Sequence, residues 1–411
     1  MSARSESSSR PAETGGPGAA IALGLVLLTI SWGLLHVGFW SRSPIIDTPV
    51  YQGYGEKMLD GKVPYRDFAV EYPPAALPVF ALPALADQED YGSAFELVMW
   101  VCAAAAIVFL ATTLSALGAD APRLYAATAF AALAPLLLGS VILSRFDFWP
   151  VALTGGALAA LVVGRDRLAL GVLGAATAAK LWPGVLLPLA VVWLYRKRGK
   201  QEAFVGLGVF LAVVAVIVLP FLVLSPGGLA HSLTTQLGRP LQIESLGSGL
   251  LLAAHQLHLY EPHVVSTHGS QNLSGAVPDA FAVLLTLLQA AALVAVWIAF
   301  ARGRPERERL LCAVAAAVVA FVAFGKVLSP QFLIWLIPLV PLIAGGTGVT
   351  ACWLFAAALV TTQIWFPYRY WDVVGLHPVG VLVLLRDLLL VALFAVLLRA
   401  IRPGSAEPRT G

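Results

Sequence analysis

The residues equipped for chemistry come in short clusters of acids, cations and aromatic rings set between long apolar runs. The first reads Asp47-Thr48-Pro49, then Tyr51 and Tyr54, then Pro64-Tyr65-Arg66-Asp67 and Glu71-Tyr72-Pro73-Pro74. Carboxylates beside aromatic rings suit a sugar, because the rings stack on pyranose faces and the carboxylates accept hydroxyl hydrogens. A carboxylate so placed can also act as a general base, and Asp47, Asp67 and Glu71 are the candidates. The plainer readings are structural. Asp47 is also an N-cap, with Thr48-Pro49 opening a helix, and Pro73-Pro74 a stiffened turn.

The cations suit an anion. Ser144-Arg145-Phe146-Asp147 puts Arg145 beside Asp147 in a short turn, where the plain reading is an ion pair. Lys180, followed by Leu181-Trp182-Pro183, sits in an apolar stretch, where an ammonium is costly unless it snorkels to the surface or meets an anion. Trp182 fits an interfacial belt. A third segment, Arg239-Pro240-Leu241-Gln242-Ile243-Glu244-Ser245, carries a cation, an amide and an acid within six positions. In Gly325-Lys326-Val327-Leu328-Ser329-Pro330-Gln331, the glycine and proline break helices and leave backbone amides near Lys326. Such a turn can hold an anion. Arg386-Asp387 reads as a buried self-compensating pair. The histidines form no metal motif, His255 and His258 share at most a helix face, and no Asp-x-Asp appears. Neither a metal nor a cofactor is expected. Cys102, Cys312 and Cys352 lie in apolar runs and read as packing residues.

The elements that must position these clusters are membrane helices. The 411 residues are 59% hydrophobic and 12% charged, which excludes a single water-exposed globule. Runs of about 15–25 apolar residues match the ~30 Å of hydrocarbon that a helix must cross, and strand-like alternation is absent. About twelve spans are expected on that ground: 19–40, 92–117, 122–143, 147–163, 168–180, 183–195, 201–224, 277–300, 310–324, 331–345, 349–366 and 378–400. Residues 1–18 and 403–411 read as cytoplasmic tails around one membrane domain, 19–402. Arg165 and Arg167, Arg196-Lys197-Arg198 with Lys200, the arginines from Arg302 to Arg309, and Arg402 fall in short connections, which the positive-inside rule makes cytoplasmic. Parity then requires 73–86 to lie on the surface or re-enter, and puts loops 41–91 and 225–276 outside. The chemical clusters all fall at that outer side. Cations there are unexpected unless they serve something anionic, and a lipid phosphate is the obvious candidate.

Taken together and in this order, Asp47, Pro64-Tyr65-Arg66-Asp67, Glu71-Tyr72-Pro73-Pro74, Arg145-Phe146-Asp147, Lys180-Leu181-Trp182-Pro183, Arg239 to Ser245 and Gly325 to Gln331 resemble glycosyltransferase family 87 of the GT-C superfamily. The family pattern often has Tyr or Phe where Trp182 stands. The resemblance implies an all-α polytopic GT-C fold with a large first external loop. It implies a polyprenyl-phosphate sugar as donor, mannose being the expected hexose, and a glycolipid, glycan or glycoprotein as acceptor. Asp47 matches the superfamily's catalytic base. Tyr65, Arg66, Asp67, Glu71, Tyr72, Arg145, Asp147, Lys180, Trp182, Arg239, Gln242, Glu244, Lys326 and Gln331 would bind substrate. The partners are these two substrates and the bilayer, with no nucleic acid. A transporter or lipid-linked-glycan flippase shares the topology, but would show polar breaks near midplane in two related halves. Here the breaks lie at one surface.

Overall fold

The computed structural model describes residues 16–41 and 45–402, so the expected tails fall outside it except for Gly16, Pro17 and Gly18. The chain is an all-α polytopic membrane protein. Its helices are α1 (Pro17–Leu34), α2 (Thr48–Leu59), α3 (Leu77–Ala81), α4 (Tyr91–Ala116), α5 (Ala121–Leu138), α6 (Phe148–Val162), α7 (Asp166–Ala179), α8 (Leu187–Arg198), α9 (Lys200–Leu224), α10 (Pro226–Leu237), α11 (Leu246–Gln256), α12 (Ala276–Arg302), α13 (Arg307–Ala323), α14 (Gly345–Trp365), α15 (Tyr370–Val374) and α16 (Val381–Ala400).

Among the described residues seven helical segments are long and apolar enough to cross a membrane, fewer than the dozen expected. The difference has physical causes. Residues 331–345 are not an α-helix but 3-10 turns, Pro330–Leu336 and Val340–Leu342. Pro330, Pro338 and Pro341 each lack the N–H an α-helix would use. Leu333, Ile334, Trp335, Leu336 and Val340 are apolar because protein buries them, not lipid. The α13 helix is enclosed likewise, with every residue from Leu310 to Ala320 buried. By contrast α9 buries only Ala203, Gly206 and Phe210 and leaves an apolar surface, Val216 and Val223 among it, that suits lipid.

α7 and α8 form a short hairpin. Arg198 Nε at the end of α8 meets Asp166 Oδ2 at the start of α7 at 2.9 Å, so the two helices run back past one another and turn at Lys180–Leu186. The other cationic connections gather at the same end. Arg167 pairs with Glu202 at 3.1 Å, and Arg196 donates to Ala301 O at 2.8 Å. Arg123 pairs with Glu308 at 2.7 Å, and Arg309 donates to Ile401 O at 2.9 Å.

The opposite end carries two folded caps. In the first, α2 lies on the 73–86 segment, which is a 3-10 turn (Pro74–Ala76), α3 and another 3-10 turn (Pro83–Leu85). Twelve such residues reach only about 18–24 Å and rest against α2 and α4. Tyr51 stacks on Phe80 at 4.6 Å, and Gly55 is a glycine because a Cβ there would fall on the Phe80 carbonyl. The second cap, 225–276, was expected as a loop. It holds α10, α11 and a three-stranded antiparallel sheet, β1 (Leu241–Gln242), β2 (His263–Thr267) and β3 (Ser270–Ser274), in the order β1-β3-β2. Buried Asn272 ties the hairpin, its Nδ2 donating to Thr267 O at 2.8 Å and Ser270 O at 3.1 Å.

Candidate functional site

Asp47 holds the N-cap position of α2, without a side-chain cap bond. Its carboxylate instead forms an ion pair with Arg145 and accepts the Tyr51 hydroxyl at 3.3 Å. The Asp47 side chain keeps 31% of its surface exposed while that of Arg145 keeps 5%, so a buried cation holds a carboxylate that still meets solvent. Burial draws Arg145 down to about 10, which leaves it cationic at neutral pH, with Asp147 and Glu244 pulling the other way.

The expected Arg145–Asp147 pair is therefore corrected. Arg145 is extended and Asp147 begins α6, so the two side chains leave the turn in different directions. Asp147, fully buried, takes Lys180 Nζ on Oδ1 at 2.6 Å and also accepts the Trp335 indole N–H. Lys180 does not snorkel. It ends α7 facing inward, with its ammonium 4.6 Å from the Phe146 ring centroid, 5.3 Å from Trp335 and 5.7 Å from Phe332. Trp182 is buried and stacks on Trp335 at 5.0 Å with 10° between planes, so it serves this wall rather than an interfacial belt. Gln331 is half-buried at the head of the same 3-10 run.

The second cap supplies the opposite wall. Arg239 Nη2 donates to Ser270 Oγ at 2.9 Å, and burial lowers its pKa against the pull of Glu244 and Glu71. Glu244 is 2% exposed and accepts from Gln242 Nε2. Burial pushes its carboxyl up to about 7, opposed by Arg386, Arg239 and Arg145. The expected Arg386–Asp387 pair is present at 2.6 Å, and Arg386 Nη2 also donates to Glu244 O at 2.6 Å, tying α16 to this cap. Burial and then Glu244 raise the Tyr370 hydroxyl, against the pull of Arg145 and Arg239.

Other expected residues play quieter parts. Lys326 Nζ caps α10 at Leu237 O at 2.9 Å, and its own carbonyl accepts Gln242 N at 3.0 Å. Arg66 and Asp67 pair with each other in the open at 2.9 Å, and the Arg66 hydrogen bond holds Asp67 down to about 2. Tyr65 is buried, its hydroxyl donating to Tyr72 O at 2.6 Å. Tyr72 sets its ring edge-on to Phe146 at 4.7 Å, and exposed Glu71 accepts Gln236 Nε2 on its carbonyl at 3.4 Å. His258 lies beyond α11 with φ 57°, so it does not share a helix face with His255. Among the described residues no group of three or more His, Cys, Asp or Glu is placed to hold a metal. Trp335, Phe332 and Tyr370 were not anticipated. The first two follow Gln331 within four positions, which was the available signal.

Buried polar atoms without a partner concentrate here. Among the described residues they include Arg145 Nε, Arg239 Nε, Asp147 Oδ2, Gln242 Oε1 and Trp182 Nε1. Native interiors leave few such groups, and guanidinium donors left over in one buried cluster of charges are of the kind that suits an oxyanion.

The sequence profile described as glycosyltransferase family 87 matches residues 70–330. No curated protein matches. Among solved structures the chain is similar to the crystal structure of ArnT from Cupriavidus metallidurans bound to undecaprenyl phosphate. The identity is 15% and the TM-score 0.49, over 94% of this chain and 77% of that one.

Proposed function

Because the chain belongs to glycosyltransferase family 87, we propose that this membrane glycosyltransferase moves a hexose, mannose in the first instance, from a polyprenyl phosphate to a hydroxyl of a glycolipid or glycan acceptor. The reaction takes place at the face opposite the cationic connections, which is extracytoplasmic if the positive-inside rule holds for this chain, with both termini then cytoplasmic. Asp47 removes the proton from the acceptor hydroxyl as its oxygen attacks the anomeric carbon. The bond from that carbon to the phosphate oxygen breaks, and polyprenyl phosphate leaves with the electron pair. Arg145, Lys180 and Arg239 meet the developing charge in a recess screened from water, where such contacts are strongest. A phosphate needs no acid to leave, so one carboxylate suffices. Single displacement inverts, and a β-linked donor gives an α-linked product.

The observation that carries the reading is the Arg145–Asp47 ion pair, which joins a solvent-reaching carboxylate to a buried cation. Asp67 pairs instead with the exposed Arg66. The test is transfer from radiolabelled polyprenyl-phosphate-mannose in membranes supplied with a panel of acceptors. Asp47→Asn should lower turnover by about 10²–10⁴ and keep donor binding, since Arg145 retains Asp147 and Glu244 as neighbours. Near-normal transfer by Asp47→Asn, with loss in Asp67→Asn or Glu71→Gln, would place the base further along the loop.

A further inference from the structure

Helix α11 of the second cap has a sequence unlike that of a helix facing water. From Ser245 to Tyr260 the chain carries no Asp, Glu, Lys or Arg. A helix set against water places charged or polar residues on its outer face. Here the outer face is apolar. Leu250 is 43% exposed and the C-cap Leu257 68%, with half-buried Ala253 and Ala254 between them at the i, i+3, i+4, i+7 spacing of a single face.

The inner face packs on two membrane spans. Gly247, Ser248 and Gly249 are buried, and small residues of this kind let helix backbones approach closely in membranes. A Cβ on Gly249 would come within 3.0 Å of Leu384 Cα in α16, and one on Gly247 within 3.1 Å of the Leu285 side chain in α12. Further along, a Cβ on Gly380 would meet Leu252 at 3.5 Å, and Gln256 Nε2 donates to Leu376 O at 2.8 Å. The partners fall from 384 through 380 to 376 as α11 rises from 249 through 252 to 256, so α11 runs antiparallel beside the head of α16. These partners set its depth. Leu384 belongs to the span Pro378–Ala400 and Leu285 to Ala276–Arg302. At 1.5 Å per residue they lie about 9 Å and about 14 Å along those spans. The same two helices turn exposed Leu385, Leu388, Leu284 and Leu287 outward there.

We propose that α11 is a half-helix sunk in the leaflet on the recess side, and that lipid acyl chains cover its Leu250–Leu257 stripe. It starts beside Leu285 and Leu384 and climbs to the membrane surface at Gln256. The backbone suits this setting, because a helix satisfies its own peptide groups and the deep end is closed by protein. Ser245 Oγ accepts Ser248 N at 3.4 Å, and Ser248 Oγ donates to Gln242 O at 2.7 Å. The Glu244 carbonyl, held by Arg386 Nη2, stands at that deep end, so this wall of the recess is tied to the bilayer through α11 as well as to α16. The inference stands whichever reaction the recess performs.

The test is the collision accessibility of nitroxide labels on the full chain in lipid nanodiscs, with Cys102, Cys312 and Cys352 replaced. Labels are placed through Leu250→Cys and Leu257→Cys, both at exposed positions. Exposed Leu287 on α12 and exposed Ser266 on the β2–β3 hairpin give the lipid and water references. The Leu250 label should collide with dissolved oxygen as the Leu287 label does, and several-fold less with a water-soluble nickel chelate than the Ser266 label. Leu257 should read shallower than Leu250. A Leu250 label as open to nickel as Ser266 would put the stripe in water, and one shielded from both reagents would put it against protein. Equal depths at 250 and 257 would lay the helix flat. Each of these results overturns the proposal. The unmodified chain supplies a second measurement. A phospholipid with a photoreactive diazirine in its acyl chain should mark residues 250–257 along with the exposed faces of α12 and α16, and marking of those spans with 250–257 left clean would equally overturn it.

Discussion

Removing the Lys180 ammonium alone leaves the fully buried Asp147 carboxylate with only the Trp335 indole for a partner. Breaking one side of a buried pair costs about 3–5 kcal/mol, so Lys180→Met should fold poorly whatever it does to the donor. Lys180→Met/Asp147→Asn removes both charges together. It should recover most of the lost thermal stability while donor affinity stays down by roughly 1.5–3 kcal/mol, the worth of a charge-assisted bond. Recovery of donor affinity with stability would show that the lysine is only structural. Glu244 allows a pH test. Its carboxyl is raised to about 7 from 4.5 by burial, so the charged form is less comfortable in the fold than in the unfolded chain. The stability this confers is complete below the unfolded value and is lost as pH rises through the folded one. Glu244→Gln removes that loss. Between about pH 5 and 7.5 the wild type should therefore lose stability relative to the variant, on the order of 1–3 kcal/mol, read as a falling melting temperature. A constant difference across that range would mean that Glu244 titrates normally.

At the scale of elements, the α7–α8 turn and the 3-10 run after α13 meet at Asp147, which Lys180 and Trp335 both engage. The α7–α8 hairpin turns at Lys180, and 14 residues of α7 reach only about 21 Å, short of the ~30 Å of hydrocarbon. If Asp166 stands at one boundary, the lysine is sunk beneath the other surface, and the 3-10 run through Trp335 closes over it. The caps must then seat on this recess, and α10 is the joint. Ser225 Oγ donates to Tyr65 O at 3.0 Å, and a Cβ on Gly228 would fall on that same carbonyl. The contact is with backbone, which cannot rotate away. Gly228→Ala should push α10 off the first cap, increase proteolysis within 225–245 and reduce transfer at least tenfold, with the helices of the bundle intact. Wild-type protease resistance in this variant would show that the caps are not docked through α10.

For the whole molecule the open issue is polarity across the membrane. The arginine-rich connections share one end and the recess the other, and that relation is testable with cysteines placed on exposed positions after Cys102, Cys312 and Cys352 are replaced. Lys62 and Ser266, one on each cap, should react with an impermeant maleimide in intact cells, whereas Arg167 and Arg304 should react only after permeabilisation. The reverse pattern would turn the protein over and put the reaction on the cytoplasmic side.

The sequence alone was enough for the membrane class, the order and placing of most helices, and the gathering of Asp47, Arg145, Lys180, Arg239 and Lys326 at one end. Apolar run length and the position of arginines are local properties, and the cost of exposing peptide groups or moving charge in lipid reads directly from them. It could also show that 331–345 was interrupted, since Pro330, Pro338 and Pro341 stand in the chain, but not that the run is enclosed by protein. A segment buried by neighbours and one buried by lipid have the same composition. Pairing was beyond it for a different reason. Arg145 reaches Asp47 rather than the acid two positions on, Lys180 takes that acid across 33 positions, and Trp335 joins it across 188. Which buried charge finds which partner depends on helix packing and on the penalty for leaving any one unpaired, and only the assembled tertiary structure sets both.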